Sequence, residues 1–276
     1  MLNNSPGPIG VFDSGYGGLT ILKEFKKQLP EYDYIYLGDN ARAPYGGRSF
    51  YVVYQYTLQA VNHLFSQGCQ LVVLACNTAS AKALRTIQQN DLPKIDSKRR
   101  VLGVIRPSAE AVGNLTKSRE VGILGTTGTV LSESYPIEIQ KLFPDIKTYQ
   151  QACPLWVPLV ENEEYKNAGA DYFFEKDIRA LLSQSKNIDT IILGCTHYPL
   201  IVDAIRKFIP SNIKLISQDT IIADSLTDYL NRHPEIENKC TKNGTIKFET
   251  TDISDVFSAI GEIFYGKKIE SEQITL

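Results

Sequence analysis

Histidine, tryptophan, methionine and long apolar runs are all scarce in this chain of 276 residues, which has three His, one Trp and one Met. The histidines, His63, His197 and His233, stand far apart and no C-x-x-C pair occurs, which argues against a zinc site at ordinary ligand spacing. No metal is expected. No run of about 18 apolar residues occurs, so no segment reads as spanning a membrane. Residues 1–8 lack the basic and apolar regions of a secretory leader, so the expected location is the cytoplasm. A basic excess is missing too. The net charge is −2, Lys98-Arg99-Arg100 reads as a solvated loop, and nucleic acid is not an expected partner. G-x-G-x-x-G and G-x-x-x-x-G-K-[ST] are both absent, which leaves nucleotide binding without support. Five cysteines, an odd number in a large chain expected in the cytoplasm, argue against a disulfide framework.

What is present is a regular alternation of short apolar runs with longer amphipathic stretches. Strands are expected at 9–13, 34–37, 71–76, 101–105, 121–125, 190–195, 214–217 and 245–249, and helices between them, among them 50–66, 78–89, 172–183 and 199–208. Unbroken apolar runs such as Leu71-Val72-Val73-Leu74 mark strands buried on both faces, hence mainly parallel sheets built from βαβ units. Two halves echo one another. LVVLACNTASAKA at 71–83 and IILGCTHYPLIVDA at 191–204 both run from apolar strand through Cys and polar residues into a helix, and VFDSG at 11–15 pairs with ILGTT at 123–127. The fold class is therefore α/β, with two pseudo-symmetric domains. The domains are expected at 1–98 with 210–276, and at 99–209, with the loop at 91–100 as the first boundary.

Ligands of parallel sheets bind at the carboxyl ends of strands, and four such ends carry unusual residues. Asp13-Ser14-Gly15-Tyr16-Gly17-Gly18 offers a glycine turn that lets a ligand approach backbone N–H groups; read alone, it is an ordinary strand-to-helix turn. Pro44-Tyr45-Gly46-Gly47 reads alone as a Pro/Gly turn. Cys76-Asn77-Thr78 supplies natural helix caps, but capping does not require a Cys there, and the positive end of a helix lowers a thiol pKa. Gly194-Cys195-Thr196-His197 places a proton-carrying imidazole two residues from a second thiol. The recurrence of Cys at two such turns favours a chemical role. Cys69, Cys153 and Cys240 read as packing, as does Trp156.

With Asp13-Ser14-Gly15, Pro44-Tyr45-Gly46, Cys76-Asn77-Thr78 and Gly194-Cys195-Thr196-His197 in this order and spacing, the chain closely resembles the aspartate/glutamate racemase family, on its glutamate branch. Gly125–Val130 and Val157–Glu161 are also similar, and the resemblance spans roughly residues 8–230. Val104-Ile105-Arg106-Pro107-Ser108 departs from the family's pattern, which bears on local packing or regulation rather than on chemistry. The resemblance implies a homodimer of two-domain subunits, with the active site between the domains, and a reaction without cofactor, L-glutamate to D-glutamate for peptidoglycan synthesis. It assigns Cys76 and Cys195 as the two bases, Asp13 and His197 as their polar partners, and Glu161 as a further one. Asp13, Ser14, Pro44, Tyr45, Gly46, Asn77, Thr78, Thr126, Thr129, Thr196 and His197 would contact substrate.

Two thiols suit this chemistry. Racemisation removes a proton from one face of Cα and returns one to the other, so a rigidly held substrate needs a thiolate on one side and a thiol on the other. Donors at strand ends would stabilise charge developing on the carboxylate. An aspartate or hydantoin racemase is an alternative within the family. A binding protein for acidic amino acids gives no reason for the paired cysteines, and a thiol-redox enzyme is disfavoured by the lack of C-x-x-C.

Overall fold

The computed structural model describes residues 5–276; residues 1–4, half of the segment read for a leader, lie outside them. Ten strands form two sheets in which every pairing is parallel. β1 (Ile9–Asp13), β2 (Tyr34–Gly38), β3 (Leu71–Leu74), β4 (Arg100–Gly103), β5 (Glu120–Gly125), β6 (Lys147–Ala152), β7 (Thr190–Gly194), β8 (Lys214–Ile216), β9 (Ile246–Thr250) and β10 (Ser271–Gln273) follow in chain order. The first sheet runs β10-β9-β2-β1-β3-β4 and the second β6-β5-β7-β8. The second thus repeats the order β2-β1-β3-β4, with β1 matched by β5 and β3 by β7, the two pairs whose sequences echo one another.

Central strands β1, β2, β3 and β7 are buried at every position, which is why their sequences are apolar apart from Asp13 at the end of β1 and Thr190 at the start of β7. β6 and β10 went unread because KTYQQA and SEQ carry no apolar run, which an edge strand partly open to solvent does not need. Where a helix was expected at 78–89, the chain makes short pieces, Asn77–Lys82, Leu84–Thr86 and a wide turn at Ile87–Asp91.

Sheet membership corrects both expected boundaries. β4 at 100–103 completes the first sheet, so the chain leaves it after 103 rather than at 98/99. β8 at 214–216 belongs to the second sheet, so the return lies beyond 216 rather than at 209/210. The loop expected at 91–100 holds the short helix Leu92–Ile95, and in the triplet read as solvated, 98–100, Arg99 is fully buried, donating to the carbonyls of Phe65 at 2.6 Å and Cys69 at 2.8 Å. Those carbonyls close the turn before β3, and a guanidinium can serve both at once.

Two helices carry the crossings between sheets, Ile105–Leu115 after β4 and Asp219–Arg232 after β8. They pack against one another, and the second also packs along Gly18–Gln28. No helix among the described residues is long and apolar enough to cross a membrane.

Candidate active site

Cys76 caps the helix Asn77–Lys82 just beyond β3, with its Sγ accepting from the Ala79 N–H at 3.4 Å and lying 3.4 Å from Ser14 Oγ. The helix end was expected to favour the thiolate. Burial instead pushes the thiol up to about 12, helped by the charge of Asp13, and the bonds from Ser14 and Ala79 offset only part of this. A helix end is worth about 0.3–2 kcal/mol, whereas desolvating an ion costs several. Asp13, buried at the end of β1, accepts from the Gly15 N–H at 2.8 Å. Burial raises its carboxyl pKa against the opposing pull of His197.

Cys195 follows β7. Its Sγ lies 3.8 Å from His197 Nδ1, and the other ring nitrogen of His197 lies 2.9 Å from Glu161 Oε1, at the end of the helix Trp156–Glu161. Burial alone would lower the His197 pKa; the contacts with Cys195 and Glu161 outweigh it and raise the group to about 10. Gly17 makes this approach possible. A Cβ there would stand 2.1 Å from Thr196 Oγ1 and 2.5 Å from His197 Nδ1, so only glycine lets the first-sheet turn rest on the second-sheet turn. Thr20 adds a bond across the same seam, from its Oγ1 to the Thr196 carbonyl at 3.2 Å.

A cavity of about 260 Å³ lies where the carboxyl ends of the two sheets face each other. Cys76 and Cys195 both line it. So do Ser14, Pro44, Tyr45, Gly46, Asn77, Thr78, Thr126, Thr196, His197 and Glu161. Asp13 and Thr129 stand behind this wall. Thr129 Oγ1 is 3.1 Å from Thr126 Oγ1, which is itself 2.9 Å from Thr78 Oγ1, so a threonine chain bridges the sheets. Tyr45 lines the cavity and is also tied into its own loop. Its hydroxyl donates to the buried carboxylate of Asp39, which also receives Arg42 Nε at 2.7 Å, so that hydroxyl anchors the loop rather than facing a ligand.

Sequence reasoning missed part of the wall. Cys153, read as packing, lines the cavity just past β6 together with Pro154 and Val157; the polar strand before it hid this strand end. Thr127 also lines it. Cys69 and Cys240 are buried elsewhere, as expected. Behind Asn77 lie Tyr135 and Gln218, which no motif marked, and Ser108, the last residue of the segment that departs from the family's pattern. A larger cavity of about 740 Å³ opens between the crossing helices and includes Arg106 and Pro107, but neither paired thiol reaches it. The smaller one holds both paired thiols.

Fold and site together define a pseudo-symmetric, two-unit α/β protein whose small-molecule cavity lies between facing strand ends. Within that class the chain belongs to the Asp/Glu/hydantoin racemase family, whose model matches residues 17–224. It is similar to the glutamate racemase of Streptococcus agalactiae, 38% identical over 270 residues that cover 98% of each chain. The similarity therefore extends into the last forty residues, where no resemblance was read. Among solved structures, glutamate racemase isoform RacE1 from Bacillus anthracis superposes with a TM-score of 0.89 at 34% identity, covering 98% of both chains. Glutamate racemase from Francisella tularensis in complex with D-glutamate gives 0.86 at 34% identity, covering 99% of this chain and 98% of that one.

Proposed function

We propose that the chain is a glutamate racemase that interconverts L- and D-glutamate with Cys76 and Cys195 as its two bases and no cofactor. The observation that carries this reading is the placement of the two thiols at equivalent strand ends, after β3 and β7, on the walls of one cavity. The D-glutamate complex of the Francisella tularensis relative supports the choice of substrate. A cavity of about 260 Å³ suits a small dicarboxylate; pockets for drug-sized ligands run from about 300 to 1,000 Å³.

The two thiols differ in their surroundings, and the difference suits the reaction. Burial and Asp13 keep Cys76 a thiol at neutral pH, ready to give a proton. His197, held as imidazolium by its contacts with Cys195 and Glu161, places its charge 3.8 Å from the Cys195 Sγ, the group that takes one. Cys195 removes the Cα proton of one enantiomer, and the electron pair left on Cα delocalises into the α-carboxylate. The Cys76 proton then enters on the opposite face, which leaves the opposite enantiomer with thiol and thiolate exchanged. In the other direction Cys76 takes the proton. N–H groups at the start of the helices Asn77–Lys82 and Thr127–Leu131, with the side chains of Asn77 and Thr78, can receive the charge that develops. The enzyme would act as a homodimer in the cytoplasm and supply D-glutamate for peptidoglycan.

Racemisation in deuterated water, followed by circular dichroism and mass spectrometry, tests the two-base reading. The new enantiomer should carry deuterium from its first appearance, while remaining substrate gains little. Cys76→Ser and Cys195→Ser should each lower kcat by about 10²–10⁴, the span of general acid–base catalysis. Original proton in early product, or near-native turnover in either variant, would overturn the mechanism. Faster turnover of aspartate than of glutamate would overturn the substrate.

A further inference from the structure

Asn77 follows Cys76 and lines the cavity, but its side chain is also tied to the second unit. Its Nδ2 lies 2.8 Å from Gln218 Oε1, and its Oδ1 lies 2.7 Å from the Tyr135 hydroxyl. Gln218 Nε2 in turn meets Ser108 Oγ at 2.6 Å and the same Tyr135 hydroxyl. Ser108 sits on the first crossing helix and Gln218 just before the second, so both passages of the chain between sheets converge on one cavity residue. All four side chains are buried.

The direction of every bond follows by elimination. Ser108 spends its only proton on the Val104 carbonyl at 3.1 Å, so its oxygen must accept from Gln218 Nε2. That turns Gln218 Oε1 toward Asn77 Nδ2 as an acceptor. The second Gln218 N–H donates to the Tyr135 oxygen, so the Tyr135 proton goes to Asn77 Oδ1. Asn77 keeps one uncommitted group, its second N–H, and is thereby held as a donor. The reverse amide orientation would face carbonyl against carbonyl at Gln218 and leave the Tyr135 proton without its acceptor, with a cost of about 1–3 kcal/mol for each buried group left unpaired.

We propose that Gln218, acting with Tyr135 and Ser108, is a positioning residue for racemisation: it holds the Asn77 amide with an N–H toward the cavity, where it stabilises charge developing on the substrate carboxylate. This rests on the racemase reading above. A preset donor next to the Cys76 turn does not reorganise as charge develops, which is the condition under which such donors lower a barrier most. The network also joins the two units beside one thiol, so the donor is in place only when both crossing segments are.

A double-mutant cycle tests it, with kcat and KM for both enantiomers and Tm measured on native protein, Asn77→Ala, Gln218→Met and Gln218→Met/Asn77→Ala. Asn77→Ala should lower kcat by about 10²-fold, as loss of one such donor does. Gln218→Met should lower kcat at least tenfold with a smaller change in KM, and should add less than twofold when Asn77 is already Ala. Tyr135→Phe, which removes one hydroxyl and keeps the ring, should repeat this pattern and serves if Gln218→Met fails to fold. Effects that multiply in the double variants, or variants within twofold of native kcat, overturn the positioning role while leaving the racemase reading intact. Native protein inactive on both enantiomers of glutamate overturns both.

Discussion

Removing the charge of Glu161 while keeping its shape, as in Glu161→Gln, should move the alkaline limit of activity to lower pH. In the native protein His197 is raised from its ordinary 6.5 to about 10, because contacts with Cys195 and Glu161 outweigh burial. An opposite charge within hydrogen-bonding distance moves a pKa by about 1–3 units, and the Glu161 side chain is a quarter exposed, so a fall of about one unit is the expected size. The sign follows from which form works: the imidazolium stabilises the Cys195 thiolate, so activity holds below the His197 pKa and declines above it. Native kcat/KM should therefore fall through about pH 10, before the Cys76 thiol begins to titrate near 12. In Glu161→Gln the fall should begin about one unit sooner. Stability shares the dependence. A histidine with a raised folded pKa contributes stability that is full below 6.5 and is lost as pH rises through about 10, and the variant should lose part of that contribution. The assay is kcat/KM for both enantiomers by circular dichroism between pH 6 and 11, with Tm at each pH. An alkaline limb unmoved in Glu161→Gln, with the protein folded, would refute the assignment of His197 as the imidazolium partner.

Other substitutions probe the frame of the site. Gly17→Ala places a methyl 2.1 Å from Thr196 Oγ1, and should cost about 1–3 kcal/mol in urea unfolding and at least about tenfold in kcat, because His197 is displaced. Tyr45→Phe removes a donor from buried Asp39 and should destabilise by about 1–3 kcal/mol in the same assay, with KM rising more than kcat falls as the loop at Gly46 loosens. Cys69→Ala and Cys240→Ala lie away from the cavity and should leave kcat within about twofold of native, while alkylation protected by glutamate should map to Cys76 and Cys195.

The α/β class and most of the strands were legible because burial on both faces demands unbroken apolar residues, as in Leu71–Leu74 and Thr190–Gly194. Both thiols could be singled out for a related reason. A reactive group at the end of a parallel strand stands between an apolar run and helix-capping residues, and both flanks leave local signals. A polar edge strand leaves none, which is why KTYQQA of β6 was missed, and with it the place of Cys153 in the cavity wall. Boundaries were misplaced for a similar reason: β4 and β8 are short edge strands, and only pairing decides which sheet a strand joins.

Local sequence by itself determined which residues end the strands and which caps and glycines follow them, because these depend on near neighbours and backbone sterics. Only the tertiary structure decided how those ends behave. Burial outweighs the helix end at Cys76, and Glu161 reaches His197 from a helix 36 positions away. Solvation and electrostatic pairing depend on everything packed around a group, and for these residues the deciding partners come from elements distant in the chain or from the depth of burial itself.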